Sequence, residues 1–439
     1  MPGEDDVHGA GAEPGPAVTA GSGEPAFLVG VAWRGVPRFE VDDSLAELGE
    51  LVRSAGGAPC GVARQSRPRP NPAFLVGEGK ATEIGEQARA SGALLCVFDC
   101  DLTPAQQRNL ERVLDVRVID RTQLILDIFA QRAKSREGHL QVELAQLRYL
   151  LPRLVGWGEK LSRLGGGIGT RGPGETKLEV DRRRVRARIA RLDGEIAELR
   201  RHRSLWRDGR RAGELPLVSL VGYTNAGKST LLNALTGAGA YVADKLFATL
   251  DPTTRRVEGK GTGAFLLTDT VGFIRNLPHH VVAAFRATLE EVAEADLLIH
   301  VVDASHPCCG EQEEAVRVVL AEIGAATKPV VVAYNKTDLV VEAGLLPRLL
   351  ELTPGAVAIS ALRREGLDLL HDAVDAALRT RWVRESFEIP YARGDLLNLV
   401  HEKGIIVHRD YGAGAVTVEA DIERAWAERI RKRLAGEAG

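Results

Sequence analysis

A chain of 439 residues, 44% hydrophobic and 27% charged, has room for two to four domains that each bury a core. No run approaches the roughly eighteen apolar residues that cross a bilayer, and no apolar leader opens the chain, so a membrane span is excluded and a cytoplasmic protein is expected. The net charge of −3 hides an asymmetry, because residues 132–211 hold 21 Lys and Arg against 10 Asp and Glu, a concentration of positive charge that suits a polyanionic partner. Five scattered cysteines, Cys60, Cys96, Cys100, Cys308 and Cys309, offer no C-x-x-C pair for zinc and read as reduced structural thiols.

Residues 1–25 are Gly, Ala, Pro and acidic residues without periodicity, a composition that leaves a tail disordered. From residue 26 to 120, AFLVGVAW, SLAELGELVRSAG, APCGVAR, ATEIGEQARASG, LLCVFDC, PAQQRNLERVL and VRVID alternate strand and helix patterns, as a parallel α/β subdomain does. Gly77-Glu78-Gly79-Lys80 resembles a phosphate loop only in part; without the flanking pattern it reads as a turn opening the next helix.

Residues 121–213 are predicted as a helical hairpin. Leu124, Ile125, Ile128, Phe129, Leu140, Val142, Leu144, Leu147 and Leu151 fall near helical spacing. In the second helix Leu178, Val185, Ile189, Leu192, Ile196 and Leu199 form a narrow seam suited to antiparallel packing on the first. Arginines fill the outward faces, for which a solvated surface is the plain alternative. Between the helices runs a glycine-rich stretch, Gly165 to Thr176, with Arg153, Arg163 and Arg171 around it. So long a glycine-rich loop is either functional or disordered, and its arginines suit insertion against RNA, pairing phosphates and stacking on bases.

Residues 214–381 carry the most legible chemistry. LVSLV leads into Gly222-Tyr223-Thr224-Asn225-Ala226-Gly227-Lys228-Ser229, the pattern G-x-x-x-x-G-K-[ST] between a strand and a helix. The glycines let backbone N–H groups turn toward phosphate oxygens, Lys228 reaches the β and γ phosphates, and the Ser229 hydroxyl ligates Mg²⁺ at a helix N-terminus. Strand AFLLTD then delivers Asp269-Thr270-Val271-Gly272, a carboxylate for the water shell of Mg²⁺ and a glycine N–H for the γ-phosphate. In Asn335-Lys336-Thr337-Asp338 the Asp338 carboxylate can accept from both N1–H and the exocyclic amine of guanine, a donor pair adenine lacks. The N–H groups of Ser360-Ala361-Leu362 are placed to meet guanine O6. Phe247-Ala248-Thr249-Leu250-Asp251-Pro252-Thr253-Thr254 is a connection in which one threonine closes over Mg²⁺ when the γ-phosphate is present, and spacing does not choose among Thr249, Thr253 and Thr254. Together these motifs predict an enzyme that turns GTP and water into GDP and phosphate.

Residues 386–439 read as a small β-α-β-β domain closed by an amphipathic helix, with a hairpin turn at Tyr411-Gly412-Ala413-Gly414 and no catalytic constellation. The expected class is therefore α/β multidomain: an N-terminal α/β subdomain with a long helical hairpin, a central P-loop GTPase domain of mostly parallel sheet flanked by helices, and a small α+β C-terminal domain.

The set GYTNAGKST, LFATLDPTTRR, DTVGFIRNLPHHVVAAFRATLEE and NKTD, preceded by GGGIGTRGPGETKLEVDRRRVR, resembles the HflX family of ribosome-associated GTPases over nearly the whole chain from residue 26. The resemblance implies binding to the large ribosomal subunit and its RNA, and splitting of stalled or idle ribosomes under stress. It also implies that Thr249 is the switch threonine on Mg²⁺, that Phe247 to Asp251 line the nucleotide site, and that Lys228, Thr249 and Gly272 organise the reaction. Phe273 stands where many small GTPases place a water-orienting glutamine, a replacement the family shares and one that implies slow unaided hydrolysis. Asn225 occupies the position at which potassium-dependent GTPases hold K⁺. Nothing demands more than a monomer. The rival reading is a nucleotide-switched RNA-binding or large-subunit assembly factor without splitting activity; an N-terminal ATP-dependent activity finds no phosphate loop to serve it.

Overall fold

The computed structural model describes residues 23–34, 37–154, 177–210, 215–237, 246–247, 249–259, 263–275, 291–379 and 382–435. Residues 1–22 of the expected tail 1–25, the glycine-rich stretch with Arg163 and Arg171, and Ala248 lie outside them, whereas Glu24 and Pro25, assigned to the tail, open the first strand. Two compact units emerge, one from the chain up to Gln131 together with Tyr149–Val180, the other from Arg132–Arg148 together with the chain from Asp181 onward.

In the first unit β1 (Glu24–Trp33), β2 (Gly57–Arg67), β3 (Leu95–Phe98) and β4 (Arg117–Asp120) form a parallel sheet of order β2-β1-β3-β4. Helices α1 (Arg38–Ser54), α2 (Glu78–Ala90) and α3 (Pro104–Leu114) supply the crossovers. Gly77 caps α2, so the GEGK segment is the start of a helix. Thr103 and Gln106 form a reciprocal capping box on α3, with Pro104 at its first position, where a missing N–H costs nothing.

Helix α4 (Arg121–Arg132) continues directly from β4. Its Arg121 is almost wholly buried, and its two terminal guanidinium nitrogens pair Glu47 at 2.8 Å and Asp99 at 2.6 Å. Arg153 makes a similar internal tie. Its guanidinium donates to Asp120 (3.0 Å), to the Leu102 carbonyl (2.7 Å) and to Gln107 (3.1 Å), and stacks 3.5 Å from the Tyr149 ring centroid. The sequence placed Arg153 among the RNA-facing arginines; a buried carboxylate at a strand end claims it instead, because leaving Asp120 uncompensated is costly.

The helical pattern of the first arm of the hairpin, Leu124 to Leu151, is interrupted. α4 stops at Arg132, α5 runs Arg136–Leu150, and a 3₁₀ turn covers Leu151–Leu154. The long α6 (Lys177–Arg210) packs on α5 through Leu140, Leu144, Leu192 and Ile196, all buried, with Leu147, Ile189 and Leu199 beside them. Glu143–Arg188 at 2.7 Å and Arg148–Asp193 at 2.8 Å flank that seam.

The second unit is built on six strands, β5 (Leu217–Gly222), β6 (Thr253–Val257), β7 (Phe265–Asp269), β8 (Leu297–Asp303), β9 (Val330–Asn335) and β10 (Val357–Ala358), ordered β10-β9-β8-β5-β7-β6. All pairings are parallel except β6 with β7. Apolar residues of β5, β7, β8 and β9 form one core with α7 (Lys228–Thr236) and the later α10 (Leu367–Arg379). Helix α8 (Cys309–Glu322) joins β8 to β9, and α9 (Leu345–Leu352) lies between β9 and β10. The near-continuous burial of β8, including His300, is what a central strand covered on both faces requires.

The C-terminal module follows the expected order: β11 (Trp382–Pro390), α11 (Gly394–Lys403), β12 (Gly404–Tyr411), β13 (Ala415–Glu423) and α12 (Arg424–Leu434). Its antiparallel sheet, β11-β13-β12, buries one face under both helices, with Leu396, Val400, Ala427 and Ile430 at the centre.

Candidate nucleotide site

The carboxyl ends of β5, β7, β8 and β9 deliver the predicted motifs to one edge of the central sheet, the place where parallel α/β sheets take their ligands. Gly222 ends β5 with φ 152°, and a Cβ there would stand 2.2 Å from the Val301 carbonyl oxygen, so only glycine lets the chain leave the strand. Asn225 is exposed in the left-handed region at φ 61°, which asparagine tolerates better than most residues. Gly227 caps α7, and Thr224, Ala226 and Tyr223 are buried beneath the turn.

Lys228 is buried, with its ammonium donating to the carbonyls of Gly222 (3.0 Å) and Tyr223 (2.8 Å). Burial lowers its pKa from 10.5 to about 8, partly opposed by the nearby Asp269 carboxylate. Burial likewise raises the Asp269 pKa, against Lys228 and the hydroxyls of Ser229 and Thr249. Two ionisable groups held dry at one edge are an arrangement found at functional sites.

The Ser229 hydroxyl lies 2.6 Å from Asp269 Oδ2 and 2.9 Å from Thr249 Oγ1, which is itself 3.0 Å from Asp269 Oδ2. Of the three candidate threonines, Thr249 is therefore the one at the phosphate loop; Thr254 bonds Thr268 across β6 and β7 at 2.8 Å, within the sheet. Asp269 Oδ1 is buried without a hydrogen-bond partner. Two hydroxyls and a carboxylate converging with an unsatisfied buried oxygen are the hard oxygen donor set that Mg²⁺ takes, directly or through its waters, so these residues fit that ion. Thr270 turns away and donates to the Leu220 carbonyl at 2.6 Å, tying β7 to β5.

Beyond Val271, which is buried, a Cβ on Gly272 would fall 2.8 Å from Thr224 Cα and 3.0 Å from Lys228 Nζ. The next residue, Phe273, is buried and bonded to the loop through its backbone: its N–H donates to the Gly222 carbonyl at 3.1 Å, and its carbonyl accepts from Thr224 at 2.7 Å. Its ring is core and holds no water. Leu250 and Phe247 are also buried, the latter at φ 56°, whereas Asp251 turns its carboxylate to Lys134 and Ser135.

On the far side Asn335 donates to the Ala226 carbonyl at 2.8 Å and accepts from the Ala361 N–H at 2.9 Å, joining three motifs. Asp338 accepts from the Ser360 hydroxyl at 2.6 Å, and that bond, with Arg363 at 3.7 Å and Lys336 nearby, holds its carboxyl below the ordinary range. A pre-oriented, ionised carboxylate is what a pair of ring donors requires. The N–H groups of Ser360 and Ala361, expected at guanine O6, are instead committed to the Glu365 carbonyl and to Asn335 Oδ1, while the Ser360 hydroxyl seats Asp338. Leu362 is exposed beside them, and the Thr337 N–H donates to the Ile359 carbonyl. Lys336, left-handed at φ 60°, pairs Asp303 at 2.7 Å. Sequence reading missed Asp303, although a carboxylate closing the apolar run LLIHVV at a strand end was the available sign.

Three family descriptions match in succession: GTP-binding GTPase N-terminal over residues 42–130, GTP-binding GTPase Middle Region over 132–210, and 50S ribosome-binding GTPase over 217–336. GTPase HflX of Caldanaerobacter subterraneus subsp. tengcongensis is 48% identical over 412 residues, 93% of each chain. The chain belongs to the HflX family of GTPases. GTPase HflX of Escherichia coli K12 is likewise 48% identical over 379 residues, 85% of this chain and 88% of that one. As an HflX-family member the chain is a GTP hydrolase. Among the described residues no helix is long and apolar enough to cross a membrane.

Proposed function

We propose that the chain is a Mg²⁺-dependent GTPase that binds the large ribosomal subunit and splits stalled or idle ribosomes, with hydrolysis timing its release. The observation that carries the reading is the convergence of Ser229, Thr249 and Asp269 within 2.6–3.0 Å of one another beside the buried Lys228. In this reading Gly222–Ser229 wrap the phosphates, Lys228 neutralises the β and γ oxygens, and Ser229 and Thr249, with Asp269 beside them, would hold the metal. The ion supplies positive charge to the phosphate oxygens when bound. The Gly272 N–H faces the γ-phosphate, and Asn335, Asp338 and Ser360 form the guanine pocket, with Lys336, Thr337, Ala361 and Leu362 as its walls. Asn225, exposed at the loop's crest, holds K⁺; equal rates in Na⁺ and K⁺ would remove that part.

The ribosomal part is supported by the description of the matched family as a 50S ribosome-binding GTPase and by the basic span 132–211. The protein acts as a cytoplasmic monomer, with the arginines of α6 facing ribosomal RNA. Sedimentation with ribosomes in a non-hydrolysable GTP analogue tests this. Movement of 70S particles into subunits supports splitting; binding confined to immature large subunits supports assembly instead.

A further inference from the structure

Three residues after α4 ends, the chain restarts as α5 with Ser135 at the cap, and the acceptor for that restart comes from more than a hundred residues away. Asp251 Oδ2 accepts the backbone N–H of Lys134 and of Ser135, each at 2.8 Å, and its Oδ1 accepts the Ser135 hydroxyl. The same Ser135 oxygen accepts the Gly138 N–H at 2.9 Å, closing the first turn of α5. A Cβ on Gly138 would stand 2.6 Å from Asp251 Oδ1 and 3.1 Å from Ser135 Oγ, so glycine there leaves the room in which the carboxylate sits. The amide just ahead of the cap, the cap's own amide and its hydroxyl thus converge on one side chain.

Asp251 is two residues from Thr249, and two residues of extended chain span at most about 7 Å. Leu250 between them is buried. The segment is therefore pinned at one end by Thr249 on Ser229 and Asp269, and at the other by Asp251 on the start of α5. α5 in turn carries α6 through the buried leucines and the Glu143–Arg188 pair.

We propose that Ser135 and Gly138 are positioning residues for the hydrolytic site: by seating Asp251 they hold Thr249 in its closed place, and closure of Thr249 in turn completes the first turn of α5. The helical arm and the phosphate site are then two ends of one equilibrium, so each biases the other by the same free energy. The proposal rests on the reading of Thr249 as the group that closes when the γ-phosphate is bound.

The test uses the full-length protein and three variants. Ser135→Ala removes the donor and the cap, Gly138→Ala places a methyl where the carboxylate lies, and Ser135→Thr keeps the hydroxyl. Hydrogen exchange at the amides of 134–138 is expected to be slower in the wild type with a non-hydrolysable GTP analogue than with GDP, and equal with the two nucleotides in Ser135→Ala and Gly138→Ala. In those two variants GDP affinity stays within about twofold, while single-turnover hydrolysis falls about tenfold, as loss of a cap-sized interaction predicts. Ser135→Thr restores both readouts. A merely structural cap would lower protection equally with either nucleotide and leave hydrolysis untouched, which overturns the proposal. Wild-type protein whose exchange at 134–138 ignores the nucleotide also overturns it while leaving the nucleotide site intact. Failure of the wild type to bind either nucleotide strikes instead at the function itself.

Discussion

The side-chain nitrogen of Asn335 lies 2.3 Å from where a Cβ on Gly227 would stand, so the base-reading motif and the phosphate loop touch through the one residue that has no side chain. Gly227 also sits at φ 97°, where an L side chain is strained. Gly227→Ala must therefore break the bond from Asn335 to Ala226 and distort the cap of α7. Isothermal titration is expected to show affinity for both GDP and GTP reduced by a hundredfold or more, roughly 3 kcal/mol from strain and lost contact together.

Asp338→Asn keeps the shape of the pocket and replaces an acceptor by a donor facing the guanine ring. Preference is expected to move from GTP toward xanthosine triphosphate, with GTP affinity falling at least about a hundredfold because two ring donors lose their partner. Unchanged GTP affinity would place base recognition elsewhere.

Phe273 fills the core with its ring and the loop with its backbone, and offers nothing to orient a water. Single-turnover hydrolysis by the isolated protein is expected to be slow and to rise when ribosomes are added. A high rate that ribosomes leave unchanged contradicts this.

Lys228 titrates near 8 in the folded protein without nucleotide, against 10.5 for an exposed lysine. Between those values the unfolded chain holds more protons than the folded one, so folding stability gains from this residue as pH rises from about 8 toward 10.5; below about 8 both forms are charged and no gradient arises. Denaturant unfolding of the nucleotide-free protein, compared with Lys228→Met across that window, is expected to shift in favour of the wild type by up to roughly 1.4 kcal/mol per pH unit. A difference that stays flat shows that the ammonium is better solvated than its burial implies.

Arg121 joins Glu47 and Asp99 inside the first unit. Arg121→Ala strands buried carboxylates and is expected to cost about 3–5 kcal/mol in denaturant unfolding. A loss below 1 kcal/mol would mean that water replaces the guanidinium freely.

Most of this architecture was legible because its signals are local. The strand before Gly222 and the strand-helix alternation of residues 26–120 each state their own conformation. What escaped depends on partners distant in the chain. Leu124 to Leu151 keep a helical rhythm across the break at residues 133–135, so periodicity hides it; only Ser135, three residues ahead of an amide it can cap, marks the restart. Arg153 reads as a surface arginine until Asp120 is seen buried beside it. Spacing alone also cannot rank Thr249, Thr253 and Thr254, since the choice rests on which hydroxyl the fold brings to Ser229.

The paired backbone bonds between Phe273 and the turn at Gly222 and Thr224 carry a mechanical consequence. Because that residue is stitched to the strand-loop junction and its ring is embedded in the interior, the chain leaving Asp269 is anchored for its first four steps. Buried Ile274 and the Arg275 N–H, which donates to the Tyr223 hydroxyl at 2.8 Å, prolong that rivet, so the described chain leaving Asp269 can shift only together with the phosphate loop.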